Sequence, residues 1–201
     1  MNYMNKTISN NFKKIRNEDI LFLDGERTFP FGQDKSRRWM ELAIIDGNGA
    51  SVYHGYFNPG FDVDKRFYKK GLTDDLLMFC PEFDSQWLHI KQLLKDKHVV
   101  SWWMENEKKF FPEELSFCKQ LHCAQARFSP LVGKYSLQHG DYTSIGMWDA
   151  FDILQLEHIP GHRHRASTDV HAMKMIWDWL DKTQLHILGK LNQHNRKELP
   201  F

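Results

Sequence analysis

Two carboxylates stand two residues apart in Asp24-Gly25-Glu26, directly after the apolar run Ile20-Leu21-Phe22-Leu23. In a strand, side chains at i and i+2 share a face, so Asp24 and Glu26 would stand side by side with Gly25 facing the other way. Like charges at the end of a core strand are costly without a cation between them. A second acidic group, Glu105-Asn106-Glu107, follows the apolar run Val99-Val100-Ser101-Trp102-Trp103. A third stretch, His164-Arg165-Ala166-Ser167-Thr168-Asp169, sets a histidine and an acid at the expected start of a helix. Several carboxylates meeting at one point suit a hard divalent cation, which takes oxygen ligands and usually shares them with a phosphate. Two Mg²⁺ or Mn²⁺ ions about 4 Å apart can activate a water and stabilise the leaving oxygen of a phosphodiester. A histidine that titrates near neutrality can take the proton from that water.

Each group taken alone has a plainer reading. Asp-Gly is a common turn dipeptide, so Asp24-Gly25-Glu26 reads locally as a solvated turn. Glu105, Glu107 and Asp169 read as acids in the first turn of a helix, where the dipole favours them. His164 is one of eleven histidines and reads as a solvated loop residue. The chemistry therefore depends on the elements that would bring these groups together.

Those elements read as one α/β domain. The opening strand is followed by a loop over 28–33 with Pro30 and Gly32, then by basic Lys35, Arg37 and Arg38. Trp39–Ile45 is a second strand, Asp46-Gly47-Asn48-Gly49 a hairpin turn, and Ser51–Phe57 the returning strand, stopped at Asn58-Pro59-Gly60. Residues 65–79 carry a short helix. Pro81 opens a helical stretch in which Phe83, Trp87, Ile90, Leu93 and Leu94 recur at spacings of three and four. His98–Trp103 is another strand, whose two tryptophans alternate faces, so that at most one approaches a site at its end. A helix with Leu115, Phe117 and Cys118 follows. Residues 124–141 are irregular. Residues 144–156 are helical. A His-rich loop (158–164) precedes a helix capped by Ser167 or Thr168, and a last helix spans about 185–191. Three antiparallel strands followed by strand–helix–strand order predict a mixed sheet, and ligands in such sheets bind beyond the carboxyl ends of the strands. The expected division is a flexible lead-in over 1–17, the main domain over 18–182, and a C-terminal helix and tail over 183–201.

Composition narrows the class without choosing the chemistry. The 201 residues are 41% hydrophobic and 26% charged, as in an ordinary globular domain. The net charge of +1 gives no argument from overall charge for a nucleic-acid partner, which would need a local basic patch. Cys80, Cys118 and Cys123 lack CxxC spacing and read as free thiols. No stretch approaches the roughly 18 apolar residues of a membrane span. The N-terminal residues lack the apolar segment of a signal peptide, so no membrane partner and a cytoplasmic location are expected.

The ordered set of motifs resembles the DEDDh family of 3′→5′ exonucleases across residues 18–182. Asp24-Gly25-Glu26, with Thr28 near the usual threonine, matches the family's opening Asp-x-Glu. His164, Ala166 and Asp169 match its closing His-x-Ala-x-x-Asp. Between them, Asn58-Pro59, Gly71-Leu72-Thr73, Pro81-Glu82-Phe83 and Ser144-Ile145 are similar to further family segments. The middle motif departs, because no Asp occurs between Asp96 and Asp141. Counting four from Trp103 gives Glu107, and counting four from Trp102 gives Asn106; metal-ligand preferences favour Glu107. Arg27 departs as well, and could contact a phosphate or obstruct the substrate terminus.

The resemblance implies an RNase H-like mixed sheet with helices on both faces. It implies two Mg²⁺ or Mn²⁺ ions held by Asp24, Glu26, Glu107 and Asp169, with His164 as general base. It implies trimming of single-stranded DNA or RNA 3′ ends to nucleoside 5′-monophosphates, with Arg27, Thr28 and Arg165 as substrate contacts. The departures motivate an alternative: an impaired member that binds nucleic-acid ends or a protein partner without cutting.

Overall fold

The computed structural model describes residues 15–28, 38–133, 135–138 and 140–197, with side chains up to residue 183. Most of the lead-in and the basic loop with Lys35 and Arg37 lie outside the described residues.

The sheet follows the hydrophobic pattern. β1 (Ile20–Thr28), β2 (Arg38–Asp46) and β3 (Ser51–Tyr56) are antiparallel, and β4 (His98–Ser101) and β5 (Gln120–Cys123) run parallel to β1, giving the order β3-β2-β1-β4-β5. This is the expected mixed sheet, and β1 lies at its centre. The β2–β3 turn is held by the Asp46 carboxylate, which accepts from the backbone N–H groups of Asn48 and Ala50 at 2.8 and 2.9 Å. Gly49 takes φ +86°, a left-handed conformation that costs glycine little.

Helices cover both faces. After a 3₁₀ turn over Lys65–Lys70 come α1 (Asp74–Leu77), α2 (Trp87–Leu94), α3 (Met104–Phe110) and α4 (Pro112–Leu115). The β5 strand leads into α5 (Ala124–Val132), a two-residue ladder of β6 (Tyr135–Ser136) with β7 (Asp141–Tyr142), α6 (Met147–Ile153) and α7 (Ala166–Lys197). One core joins Phe22, Ala43, Ile45 and Val100 to α5, α6 and α7; the other joins Leu21, Leu23, Leu42, Ile44 and Val99 to α2, α3 and α4. Alternate residues of β1 thus face opposite helical layers, as the pleat requires. Among the described residues no helix is long and apolar enough to cross a membrane.

Several expectations are corrected. The Asp24-Gly25-Glu26 stretch is the body of β1 rather than a turn, because β1 pairs with β2 as far as Thr28. At residues 15–17 Ile15 packs on the core, and Asn17 Nδ2 donates to Asn48 Oδ1 at 2.8 Å. Residues 124–132 form α5 within the segment expected to be irregular over 124–141, and β5 precedes it. The α5 helix carries Pro130 and still buries Ala124 and Phe128 against α7. The two C-terminal helices are one continuous α7, so a boundary at residue 182 falls inside it. That helix begins at Ala166, ahead of the expected caps.

Candidate active site

The carboxyl end of β1 presents Asp24 and Glu26 to the α7 side of the sheet. There they meet Asp169, whose position in the first turn of α7 is set by the loop before it. One oxygen from each of the three carboxylates lies within 4.8 Å of the others. Gly25 faces the other layer, and a Cβ there would lie 2.2 Å from a Trp39 ring carbon. Glycine at this position therefore lets Trp39 pack flat against β1 beneath the acids.

Asp169 is oriented on both sides. Its Oδ1 accepts from the backbone N–H of His164 at 3.0 Å and from Trp148 Nε1 at 3.1 Å. His164 takes φ +62°, a left-handed conformation that the bond to Asp169 helps to hold. His164 and the three carboxylates line one open cavity of about 500 Å³, together with Arg27, Trp103, Asn106 and Glu107. Of the two tryptophans, Trp102 is 8% exposed, belongs to the core and donates to Ile145 O at 3.1 Å, whereas Trp103 is 53% exposed on the cavity rim.

The electrostatics follow from desolvation and crowding. Burial pushes the Asp24 carboxyl well above its ordinary range, and the charges of Asp169, Glu26 and Glu107 push it further. Burial raises Glu26 against the opposing pull of Lys70, whose Nζ lies 3.3 Å from Glu26 Oε2. Asp169 is pushed up to about 7, first by burial and then by Glu26. His164 is shifted down by burial, with Lys70 and Arg163 adding to the effect, which favours the neutral ring. Three desolvated carboxylates beside one lysine form an environment that is relieved by a cation. The spacing fits a hard one, because oxygens on opposite sides of an ion at about 2.1–2.4 Å lie roughly 4.2–4.8 Å apart.

Glu107 is not among the three converging carboxylates, although it lines the same cavity and its charge acts on Asp24. It lies on α3 rather than at a strand end, because the chain turns into helix directly after Trp103. Its Oε1 accepts from Arg27 Nη2 at 2.7 Å, and both side chains are 6% exposed. Arg27 points to the α3 layer, with its guanidinium 4.6 Å from the Trp39 ring centroid and 4.8 Å from that of Phe110. The β1–β2 register slips after Glu26, so Arg27 pairs with Trp39 and Met40 is passed over. A slip of this kind re-aims side chains near a site.

The other two residues expected to touch substrate are committed to the protein. Thr28 is fully buried on β1. Arg165 donates to Glu41 Oε2 at 2.7 Å, to Lys70 O at 2.7 Å and to Tyr56 Oη at 2.6 Å. Glu41, which the motif reading passed over, is the hub of this layer. It accepts from His54 Nε2 at 2.9 Å and from the backbone N–H of Ala166, the first residue of α7, at 3.2 Å. Its signal was in the sequence, as one acid inside the apolar run Trp39–Ile45. Lys70 and Trp148 carried no comparable signal.

Comparisons with known proteins agree with the fold. No family model matches the chain, and no curated protein matches it in sequence. E. coli exonuclease I, in complex with a dT13 oligonucleotide, superposes with a TM-score of 0.57 at 15% identity, over 87% of this chain and 43% of that one. A 3′-exonuclease solved in the context of 3′-end-specific recognition of the histone mRNA stem-loop gives 0.61 at 13% identity, over 86% and 67%. A full-length 3′-exonuclease gives 0.52 at 12% identity, over 82% and 81%. The chain thus spans less than half of exonuclease I. The fold is RNase H-like, as these exonucleases have it.

Proposed function

We propose that the protein is a divalent-cation-dependent 3′→5′ exonuclease that releases nucleoside 5′-monophosphates from single-stranded DNA or RNA 3′ ends. One observation carries this reading: Asp24, Glu26 and Asp169 converge beside His164 at the carboxyl end of the central strand, in a fold shared with 3′-exonucleases.

A Mg²⁺ or Mn²⁺ ion held by the three carboxylates would lower the pKa of a water and draw charge from the phosphate oxygens. His164 accepts the proton as that water's oxygen bonds to phosphorus. The bond from phosphorus to the 3′ oxygen of the preceding nucleotide breaks, that oxygen takes a proton from solvent, and the 5′-monophosphate leaves. Trp148 and the backbone of His164 hold Asp169 in place during this step, and Lys70 tempers the charge on Glu26. Exposed Trp103 offers a face on which a base can stack. Arg165 and Thr28 act by positioning the site rather than by touching substrate.

The pair between Arg27 and Glu107 favours a second reading, in which the protein binds a 3′ end and does not cut it. A 5′-labelled oligonucleotide in DNA and RNA form, incubated with Mg²⁺ or Mn²⁺ and followed on a gel, separates the two. Stepwise shortening from the 3′ end supports the enzyme. Retention of the labelled strand without shortening supports the binder.

A further inference from the structure

We infer that the site takes one divalent cation rather than two, because the guanidinium of Arg27 stands beside Glu107 where a second cation would otherwise balance charge. The inference rests on the reading of Asp24, Glu26 and Asp169 as cation ligands.

The pleat of β1 turns Asp24 and Glu26 to one layer and Arg27 to the other. Asp24 and Glu26 face α7 and meet Asp169 within 4.8 Å. Arg27 faces α3 and holds Glu107 at 2.7 Å, with both side chains 6% exposed. The arginine is built in. It lies between the rings of Trp39 and Phe110, and Trp39 is fixed by stacking on Phe83 at 5.1 Å and by its close approach to Gly25.

Charge balance then differs on the two sides of the cavity. Three carboxylates with Lys70 leave a surplus that one divalent ion neutralises. Glu107 has its counter-charge already. A second ion at Glu107, whose Oε1 is held by Arg27, would have to set its charge beside a buried guanidinium.

Binding of Mn²⁺ to the whole chain tests this, by calorimetry and electron paramagnetic resonance, with and without saturating nucleoside 5′-monophosphate. The nucleotide is included because such ions complete their shells with phosphate oxygens. One Mn²⁺ per chain with a mononuclear spectrum is expected in both conditions. Two ions in the presence of nucleotide overturn the inference and leave the three-acid reading standing. No binding at all overturns the three-acid reading itself. Glu107→Gln, which leaves Arg27 without its counter-charge, should keep a stoichiometry of one where it folds, and loss of Mn²⁺ binding by the folded variant would make Glu107 a ligand and overturn the inference. Folded Arg27→Gln should admit a second ion with nucleotide, and a stoichiometry that stays at one removes Arg27 as the excluding group.

Discussion

Glu26 and Glu41 face each other across the β1–β2 ladder, and their surroundings treat the two carboxylates in opposite ways. Burial would raise Glu41, but bonds from His54 and Arg165 outweigh it and hold the carboxyl at about 2. Burial raises Glu26 as well, and Lys70 at 3.3 Å offsets only part of the shift. One acid is a structural anchor, and its neighbour is left for a ligand.

Replacing the anchor should therefore cost stability. Glu41→Gln leaves Arg165 without its counter-charge and weakens the start of α7, at about 3–5 kcal/mol. Urea denaturation of the metal-free protein measures this. Glu26→Gln in the same assay should not destabilise, because it removes a repelled charge. Equal losses in both variants would contradict the division of roles.

The pH dependence of stability carries the same contrast. Asp169 rises from an ordinary 3.8 to about 7 in the fold. A raised carboxyl contributes stability that is fully present below the unfolded value and is lost as pH climbs through the folded one. Metal-free protein should accordingly lose stability between pH 4 and 7 from this group, while Mn²⁺ raises Tm more at pH 8 than at pH 5. Glu41 acts at the other end, where its contribution is lost as pH falls below 4.5 through about 2. Thermal melts across pH with and without Mn²⁺ check both slopes, and a Mn²⁺ effect independent of pH would contradict the first.

His164 should matter for rate and little for cation binding. Asn tolerates the left-handed backbone that His164 adopts at φ +62°, so His164→Asn preserves the loop. The expected loss in rate is about 10²–10⁴-fold, as for removal of a general base, with Mn²⁺ affinity unchanged. The acid limb of the wild-type pH–rate profile should lie below 6.5, the direction in which burial shifts this ring. An unaltered rate in the variant would take the base role away from His164.

Gly25→Ala tests the packing beneath the acids. Its Cβ would meet Trp39 at 2.2 Å, so the ring must move, and Arg27 with it. Overpacking of this kind costs about 1–3 kcal/mol. Denaturation should show that loss, and near-ultraviolet circular dichroism should report a displaced tryptophan. A variant as stable as wild type would mean that Trp39 is free to shift.

Much of this architecture was legible in the residues. The apolar run into Asp24 and the Asp46–Gly49 turn define the antiparallel half of the sheet. The alternation of Asp24, Gly25 and Glu26 gives the side-by-side acids, although locally the same residues read as a turn; pairing with β2 keeps them in the strand. Four residues with two polar side chains did not reveal β5, because its burial comes from β4 and from Trp177 beyond the local pattern. Pro130 hid α5, whose buried face is paid for by contacts with α7. The partners of Arg27 and Arg165 were out of reach for the same reason: a guanidinium's destination depends on which chain segment lies across from it.

The most direct measurement is degradation of a 5′-labelled single strand by wild type and by Asp24→Asn, each with Mn²⁺ and with chelator. Wild type should shorten the strand one nucleotide at a time from the 3′ end and release 5′-monophosphates. Asp24→Asn and chelator should each reduce that rate by at least about 10²-fold. No shortening by wild type on either sugar, or shortening that survives Asp24→Asn, would contradict a nuclease centre built on Asp24, Glu26 and Asp169.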